Sequence, residues 1–298
     1  MAVPMIRLWF AVRRAVGWGQ ASRRQRWTLT LGALCALSVV TGGALAAAGA
    51  GTPGPFAPPQ TAATNRALAT AWIVQQVGPG VTVSCDPAMC RLLRADGFPA
   101  PRLRTLPPAA RTPLPAGLVV STPALRNQFG TSLAATFAPL MIAGFGSGAG
   151  RVEVRLTAPG GAAAFHAQLT AEHAFLVSGG RQLLRDQNIE AAPAARTVLL
   201  AGEADPRLLA TLSVLAAGMP VRLLAFDDPS PQAGPAVPLR GAEIGASSPA
   251  GISAEVAFLQ AQRGAYRPAA VATGRSASGQ SLVTVWFPAP GAMDAGAS

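Results

Sequence analysis

The chain of 298 residues is half hydrophobic and only 12 % charged, with 24 basic side chains, all of them Arg, against 13 acidic ones and a net charge of +11. That balance excludes an intrinsically disordered chain, which would be poor in apolar residues and rich in charge. Only one stretch is long and apolar enough to cross a bilayer, which excludes a multi-span membrane protein.

That stretch is residues 28–50, TLTLGALCALSVVTGGALAAAGA, which contains no charged residue. A helix needs about 20 such residues to span the hydrocarbon core. Six arginines precede it (Arg7, Arg13, Arg14, Arg23, Arg24, Arg26), and the first acid of the chain is Asp86. The asymmetry predicts a basic cytoplasmic tail over 1–27, a single-pass signal-anchor over 28–50 and everything beyond it outside the cell membrane. The lipid bilayer is then the expected partner of residues 28–50. A cleavable signal peptide competes with this reading, because Ala46 and Ala48 form an A-x-A pattern. Ser22-Arg23-Arg24 has the look of a twin-arginine signal, although Arg26 and Trp27 stand where that signal prefers apolar residues. Residues 5–18 suit an amphipathic helix on the inner membrane face or an unstructured basic tail.

Partitioned in this way, the charge loses its suggestion of nucleic acid. Eighteen Arg and 13 acids remain beyond the apolar segment, a net +5. The excess is a topology feature, and no nucleic-acid partner is expected.

Residues 51–61, GTPGPFAPPQT, read as a Pro/Gly linker. Residues 62–288 read as a folded extracytoplasmic α/β domain, with a possible subdomain break near 146–150 and a tail over 289–298. Apolar periodicity predicts a helix over 65–77, a strand over 81–85, a helix over 87–95 and strands over 102–106 and 117–121. A helix near 123–135 follows, then strands over 139–145 and 151–158. Residues 162–184 read as helical with a break at Gly179-Gly180. Helices over 193–202 and 206–217, a strand over 221–226, a helix over 249–263 and a hairpin of 269–274 with 281–287 complete the chain. The fold class expected is α/β: a mixed, partly parallel sheet flanked by helices, behind a single N-terminal transmembrane helix. Four helix starts share one device. Asp86-Pro87, Thr122-Pro123, Asp205-Pro206 and Ser248-Pro249 each set a capping oxygen before a Pro at the first helical position, where its missing N–H costs nothing.

Cys35 falls in the apolar segment, and Cys85 with Cys90 form an even pair outside it. With Asp86 as cap, the two cysteines occupy the positions that a hydrophobic staple brings together. A local disulfide between them is expected, worth about 2 kcal/mol because the loop is short. A thiol–disulfide exchange pair would favour C-x-x-C spacing, and a zinc site would need further Cys or His at suitable spacing. No metal and no cofactor are expected.

Candidate catalytic groups are few. His166 and His173 lie about 10 Å apart along a predicted helix, too far to share one metal. Gly144-Phe145-Gly146-Ser147-Gly148-Ala149-Gly150 formally fits a dinucleotide fingerprint, but strand-like RVEVRLTA follows where a helix N-terminus is needed, so the loop reads as a crossover or hairpin. Asp86, and Asp227 with Asp228, stand at expected strand ends, where open α/β sheets bind ligands. Adjacent carboxylates there suit metal binding or acid–base work; a capping residue and an Asp-Asp-Pro turn explain them as well. Arg91, Arg94, Arg102, Arg104 and Arg111 cluster with only Asp96 among them, a patch suited to an anionic wall polymer, to lipid headgroups or to plain solvation.

Ala71-Trp72-Ile73-Val74-Gln75-Gln76-Val77 followed by Val81-Thr82-Val83-Ser84-Cys85-Asp86 resembles the opening of the extracytoplasmic domain behind the membrane portion of some actinobacterial integral-membrane glycosyltransferases. The likeness covers about sixteen residues and, without a multi-span catalytic portion, implies no glycosyl transfer. CDPAMC, Gln128-Phe129-Gly130, DPRLL and VPLRGAEI are similar to a family of actinobacterial single-span membrane proteins, a resemblance that implies location and no activity. The function expected is a membrane-anchored binding or scaffold module of the cell envelope, with an envelope protein or anionic wall polymer as partner. The alternative is an envelope hydrolase or transferase using Asp86, Asp227 and Asp228.

Overall fold

A computed structural model describes residues 61–289, apart from 79, 112–116, 246–248 and 277–278. The apolar segment 28–50 lies outside the described residues, and among those described no helix is long and apolar enough to cross a membrane. The described residues form two five-stranded mixed sheets flanked by helices, where the sequence suggests one.

The first sheet is preceded by helix α1 (Ala62–Gln76), which Thr61 caps by accepting a hydrogen bond from the Thr64 amide. Strand β1 (Val83–Cys85), helix α2 (Pro87–Ala95), strands β2 (Leu103–Thr105) and β3 (Leu118–Ser121), helix α3 (Pro123–Phe129), and strands β4 (Leu140–Phe145) and β5 (Val152–Leu156) follow. Their order across the sheet is β2-β1-β3-β5-β4. The pairs β1/β2 and β1/β3 are parallel, whereas β3/β5 and β4/β5 are antiparallel. Residues 146–151, including a short 3₁₀ turn at Gly148–Gly150, close the β4–β5 hairpin. The alternation of a pleated strand divides the side chains. Val83, Cys85, Leu118, Val120, Val152 and Val154 pack with α1 and α2 in one core, while Val119 packs with Leu125 of α3 on the opposite face.

Helix α4 (Ala162–Leu183) carries the chain from one sheet to the other. Its Phe165 belongs to the first core, and its Leu176 and Leu183 belong to the second. Strand β6 (Ile189–Ala191), helices α5 (Pro193–Ala201) and α6 (Pro206–Ala216), strands β7 (Val221–Asp227) and β8 (Gly241–Gly245), helix α7 (Pro249–Ala261), and strands β9 (Ala270–Arg275) and β10 (Ser281–Trp286) complete the structure. The second sheet runs β6-β7-β8-β10-β9, parallel only at β6/β7. Each sheet thus ends in a strand–helix–hairpin unit with the second hairpin strand inserted beside the first strand of the unit. The arrangement is the same in the two sheets.

Two features join the halves. The loop after β7 lies along the edge of β4, where Gly144 N–H donates to Pro231 O at 2.8 Å and Gly234 N–H donates to Met141 O at 2.9 Å. Beyond β10, Ala289 pairs with Val77 at the end of α1. The first loop satisfies an edge that would otherwise present unpaired backbone groups.

The expected break at Gly179-Gly180 is absent: α4 is continuous over 22 residues. Those glycines serve packing instead. A Cβ on Gly180 would lie 2.1 Å from Leu199 O of α5, so the two helices meet backbone to backbone. Gly180→Ala must separate α4 from α5 and should cost at least about 2 kcal/mol, as overpacked cores do. At Gly160 a Cβ meets only Ala164 Cβ at 3.5 Å, and Gly160→Ala should stay within about 0.5 kcal/mol of the parent. Urea unfolding of the two variants measures the difference.

Candidate functional site

The first candidate position is where the parallel strands β1 and β3 end side by side. From β1 the chain leaves toward β2 on one flank, and β3 lies on the other, so this is the crevice at which open α/β sheets bind ligands. Here the crevice is filled by the protein's own carboxylate. Asp86 is 5 % exposed, and its Oδ1 accepts from the amides of Ala88 at 2.8 Å and Met89 at 3.0 Å, the first free N–H groups of α2. Its Oδ2 accepts from the Thr122 hydroxyl at 2.5 Å. Thr122 is fully buried and caps α3, with the Leu125 amide 3.5 Å from its Oγ1. One carboxylate therefore binds the N-terminus of one helix and the capping residue of the next. Each function has a scale: about 1 kcal/mol for a lost N-cap and about 1–3 kcal/mol for a buried hydroxyl left without its partner. Together these equal or exceed the roughly 2 kcal/mol of a short-loop disulfide.

That disulfide flanks the same turn. The sulfurs of Cys85 and Cys90 stand 1.93 Å apart, with Cα atoms at 5.4 Å, and both residues are buried in the first core. They join the end of β1 to the first turn of α2, at the two positions that the Asp86 cap brings together.

The second pair of carboxylates belongs to the second sheet and shares no partner with Asp86. Asp227 is the last residue of β7, opposite Gly241 of β8. Asp228 opens the loop that covers β4. Its Oδ1 accepts from the Ser230 amide at 2.7 Å and from Arg240 Nη2 at 3.0 Å, and its side chain is 8 % exposed. Arg240 is wholly buried and also donates from Nη2 to Ser230 Oγ at 2.8 Å and from Nη1 to Phe287 O at 2.8 Å. A second arginine grips the same exit from β10. Arg207 donates to Pro288 O at 2.9 Å, stands 5.2 Å over the Phe287 ring and pairs with Asp205, the cap of α6. The Asp228–Arg240 pair thus holds one end of the loop that closes the β4 edge and the strand end that returns to α1. Removing one partner of a buried pair leaves the other charge without compensation, at a cost of roughly 3–5 kcal/mol.

Of the two histidines, His166 is exposed on α4 with its ring edge-to-face against Phe165. His173 shares a hydrogen bond with Ala201 O at 2.8 Å, tying α4 to the end of α5. The glycine-rich hairpin packs on α1: buried Asn65 donates to Gly150 O at 2.9 Å, and a Cβ on Gly146 would meet the Asn65 amide at 2.2 Å. Strand β5 follows the loop, so no helix N-terminus is present there to receive a phosphate. Among the described residues no group of three His, Cys, Asp or Glu stands close enough to hold a metal ion. The five arginines from Arg91 to Arg111 are exposed.

Sequence reasoning missed the buried partners: Thr122 as a ligand of Asp86, Arg240, and Glu255. Thr122 and Arg240 are brought to their carboxylates by pairings across 36 and 12 residues. Glu255 lies on the face of α7 that packs on β10 and β9, in a stripe with Phe258 and Leu259. It is 2 % exposed, and its Oε2 has no hydrogen-bond partner among the described residues. Burial among aliphatic side chains pushes its pKa up to about 8.

That shift sets a pH dependence. In the unfolded chain the carboxyl ionises near its ordinary value of about 4.3. Between there and about 8 the folded state keeps a proton that the unfolded state has lost, so stability falls as pH rises through this window. Glu255→Gln should remove that slope. It should match the parent near pH 4 and melt at least about 2–4 °C higher at pH 8, the shift that 1 kcal/mol makes in a domain of this size. Parallel melting curves for the two proteins from pH 4 to 8 would contradict the assignment.

Comparison of the chain with protein-family models, with curated proteins and with solved structures finds no match to any of them.

Proposed function

We propose that the chain is a membrane-anchored extracytoplasmic module of the cell envelope that binds or scaffolds a partner. The observation that carries this reading is the buried cysteine pair at bonding distance behind an uncharged 23-residue segment that six arginines precede. Disulfides persist on the oxidising side of a membrane and are rare in the cytosol. The arginine asymmetry orients the segment with its N-terminus inside, and a Pro/Gly linker then separates the folded residues from the bilayer. The carboxylates best placed for chemistry are committed to caps and to a buried ion pair, which favours binding over catalysis.

An envelope hydrolase or transferase is the second reading, supported by the position of Asp86 at the end of parallel strands. It is the weaker one, because Asp86 would have to release two backbone amides and the Thr122 hydroxyl before acting as acid, base or nucleophile.

Topology is directly measurable. In intact spheroplasts, added protease should digest everything beyond residue 61 while the chain remains in the carbonate-washed membrane pellet. Alkylation should label Cys85 and Cys90 only after reduction. A shortened soluble chain in the medium, or a protease-protected domain with free thiols, would overturn the proposal.

A further inference from the structure

We infer that the β2 edge of the first sheet is a docking surface for an extended anionic glycan, a sugar polymer carrying phosphate, sulfate or carboxylate groups. The inference rests on the binding-module reading above only for the compartment in which such a polymer would be met. Its structural basis is separate.

Five exposed arginines come from consecutive elements around one edge: Arg91 and Arg94 from α2, Arg102 and Arg104 from the strand β2 and the turn before it, and Arg111 from the loop after it. None of them forms an ion pair among the described residues. Among the described residues, the Arg104 guanidinium donates to the backbone oxygen of Pro101, at 3.3 Å, and to no carboxylate. Between residues 87 and 111 the single acid is Asp96. This contrasts with the arginines that serve the fold, namely Arg151, Arg155, Arg207, Arg222 and Arg240, each of which faces a carboxylate. An uncompensated field of this kind attracts polyanions and raises their local concentration.

Shape selects the class of polyanion. Leu103 packs in the core on the α2 side of the sheet, so the alternation of the strand sets Arg104 on the opposite side. The arginines are thus divided over the two sides of the edge: Arg91 and Arg94 belong to α2 on one face, Arg104 points to the other, and Arg111 lines a cleft with Gln128 and Phe129 of α3 on that second face. A planar bilayer surface meets one face at a time, whereas a chain molecule can follow the edge and touch both. At the Arg111 end lies an open cleft of about 330 Å³, walled by Phe129, Phe137, Gln128 and Ser132. Its shape is fixed by Gln128, whose amide donates to Pro107 O at 3.0 Å and Ala110 O at 2.9 Å, and by the edge-to-face pair of Phe129 and Phe137. The far wall includes a π-helical turn, Leu133–Phe137, a rare geometry that recurs at functional sites. Aromatic walls with a fixed amide and a neighbouring guanidinium suit a charged sugar ring.

The test uses the full chain in neutral detergent micelles, with dextran sulfate as the glycan probe and phosphatidylglycerol vesicles as the membrane probe. The triple variant Arg91→Ser, Arg94→Ser, Arg104→Ser should bind dextran sulfate at least about tenfold more weakly, with a salt dependence shallower by roughly 0.7 per arginine lost. An equal charge change where acids are interspersed, Arg181→Ser, Arg185→Ser, Arg196→Ser beside Asp186, Glu190 and Glu203, should leave binding within about twofold. Arg91→Lys, Arg94→Lys, Arg104→Lys should retain most of it and exclude a folding defect. Equal losses in the two serine triples would overturn the inference. So would a patch variant that loses vesicle binding but keeps the glycan. Because purified protein is used, a negative result here leaves the spheroplast topology experiment standing, and the reverse also holds.

Discussion

The arrangement of the first sheet depends on where one carboxylate goes. Two helix N-termini emerge next to each other where β1 and β3 end, and each brings free backbone amides into a crevice that is nearly closed to solvent. Buried amides without acceptors are costly, and the N-terminal ends of helices favour a negative charge. Asp86 answers both demands by accepting from α2 and from Thr122 at the head of α3. A ligand anion would answer them equally well in an enzyme. In this chain the acceptor is Asp86 itself, and the adjacent Cys85–Cys90 bridge holds the turn that carries it.

The second sheet is tied to this unit by packing and by two arginines rather than by a shared strand. Helix α4 contributes to both cores, and the loop after β7 completes the edge of β4. Arg240 and Arg207 fix the exit of β10 so that Ala289 can pair beside Val77. Gln232, within that loop, adopts the left-handed conformation with φ of 51°, and its side chain lies against Gly144 and donates to Gly146 O at 3.5 Å. The halves therefore meet through backbone pairing at two places, which makes the relation between them specific.

Much of this was legible in the sequence. The Asp-Pro and Thr-Pro pairs mark the starts of α2, α3 and α6 to the residue, because a capping oxygen and a Pro leave few other options. The β9–β10 hairpin is marked by its alternation and its polar turn. What escaped did so for physical reasons. β6 is three residues long with a single large apolar side chain. β8, GAEIG, is too rich in glycine to read as a strand, yet a Cβ on Gly241 would collide with the Trp286 ring at 2.7 Å, so that glycine is what lets the aromatic side chain lie across the sheet. Gly179-Gly180 reads as a break within α4 because sequence alone does not show that α5 approaches there. The two caps Asp86 and Thr122 were each visible, but that they bond to each other is a fact of tertiary structure, as is the burial of Glu255.

The measurement that bears most directly on this account is a double-mutant cycle between Asp86→Ala and Thr122→Val, read by equilibrium unfolding. If the carboxylate is the structural link between two helix starts, each single change destabilises the protein, and the pair shows a coupling of at least about 1 kcal/mol, the scale of a buried hydrogen bond to a charged group. A coupling near zero, with Asp86→Ala neutral or stabilising as replacement of an active-site carboxylate often is, would contradict it.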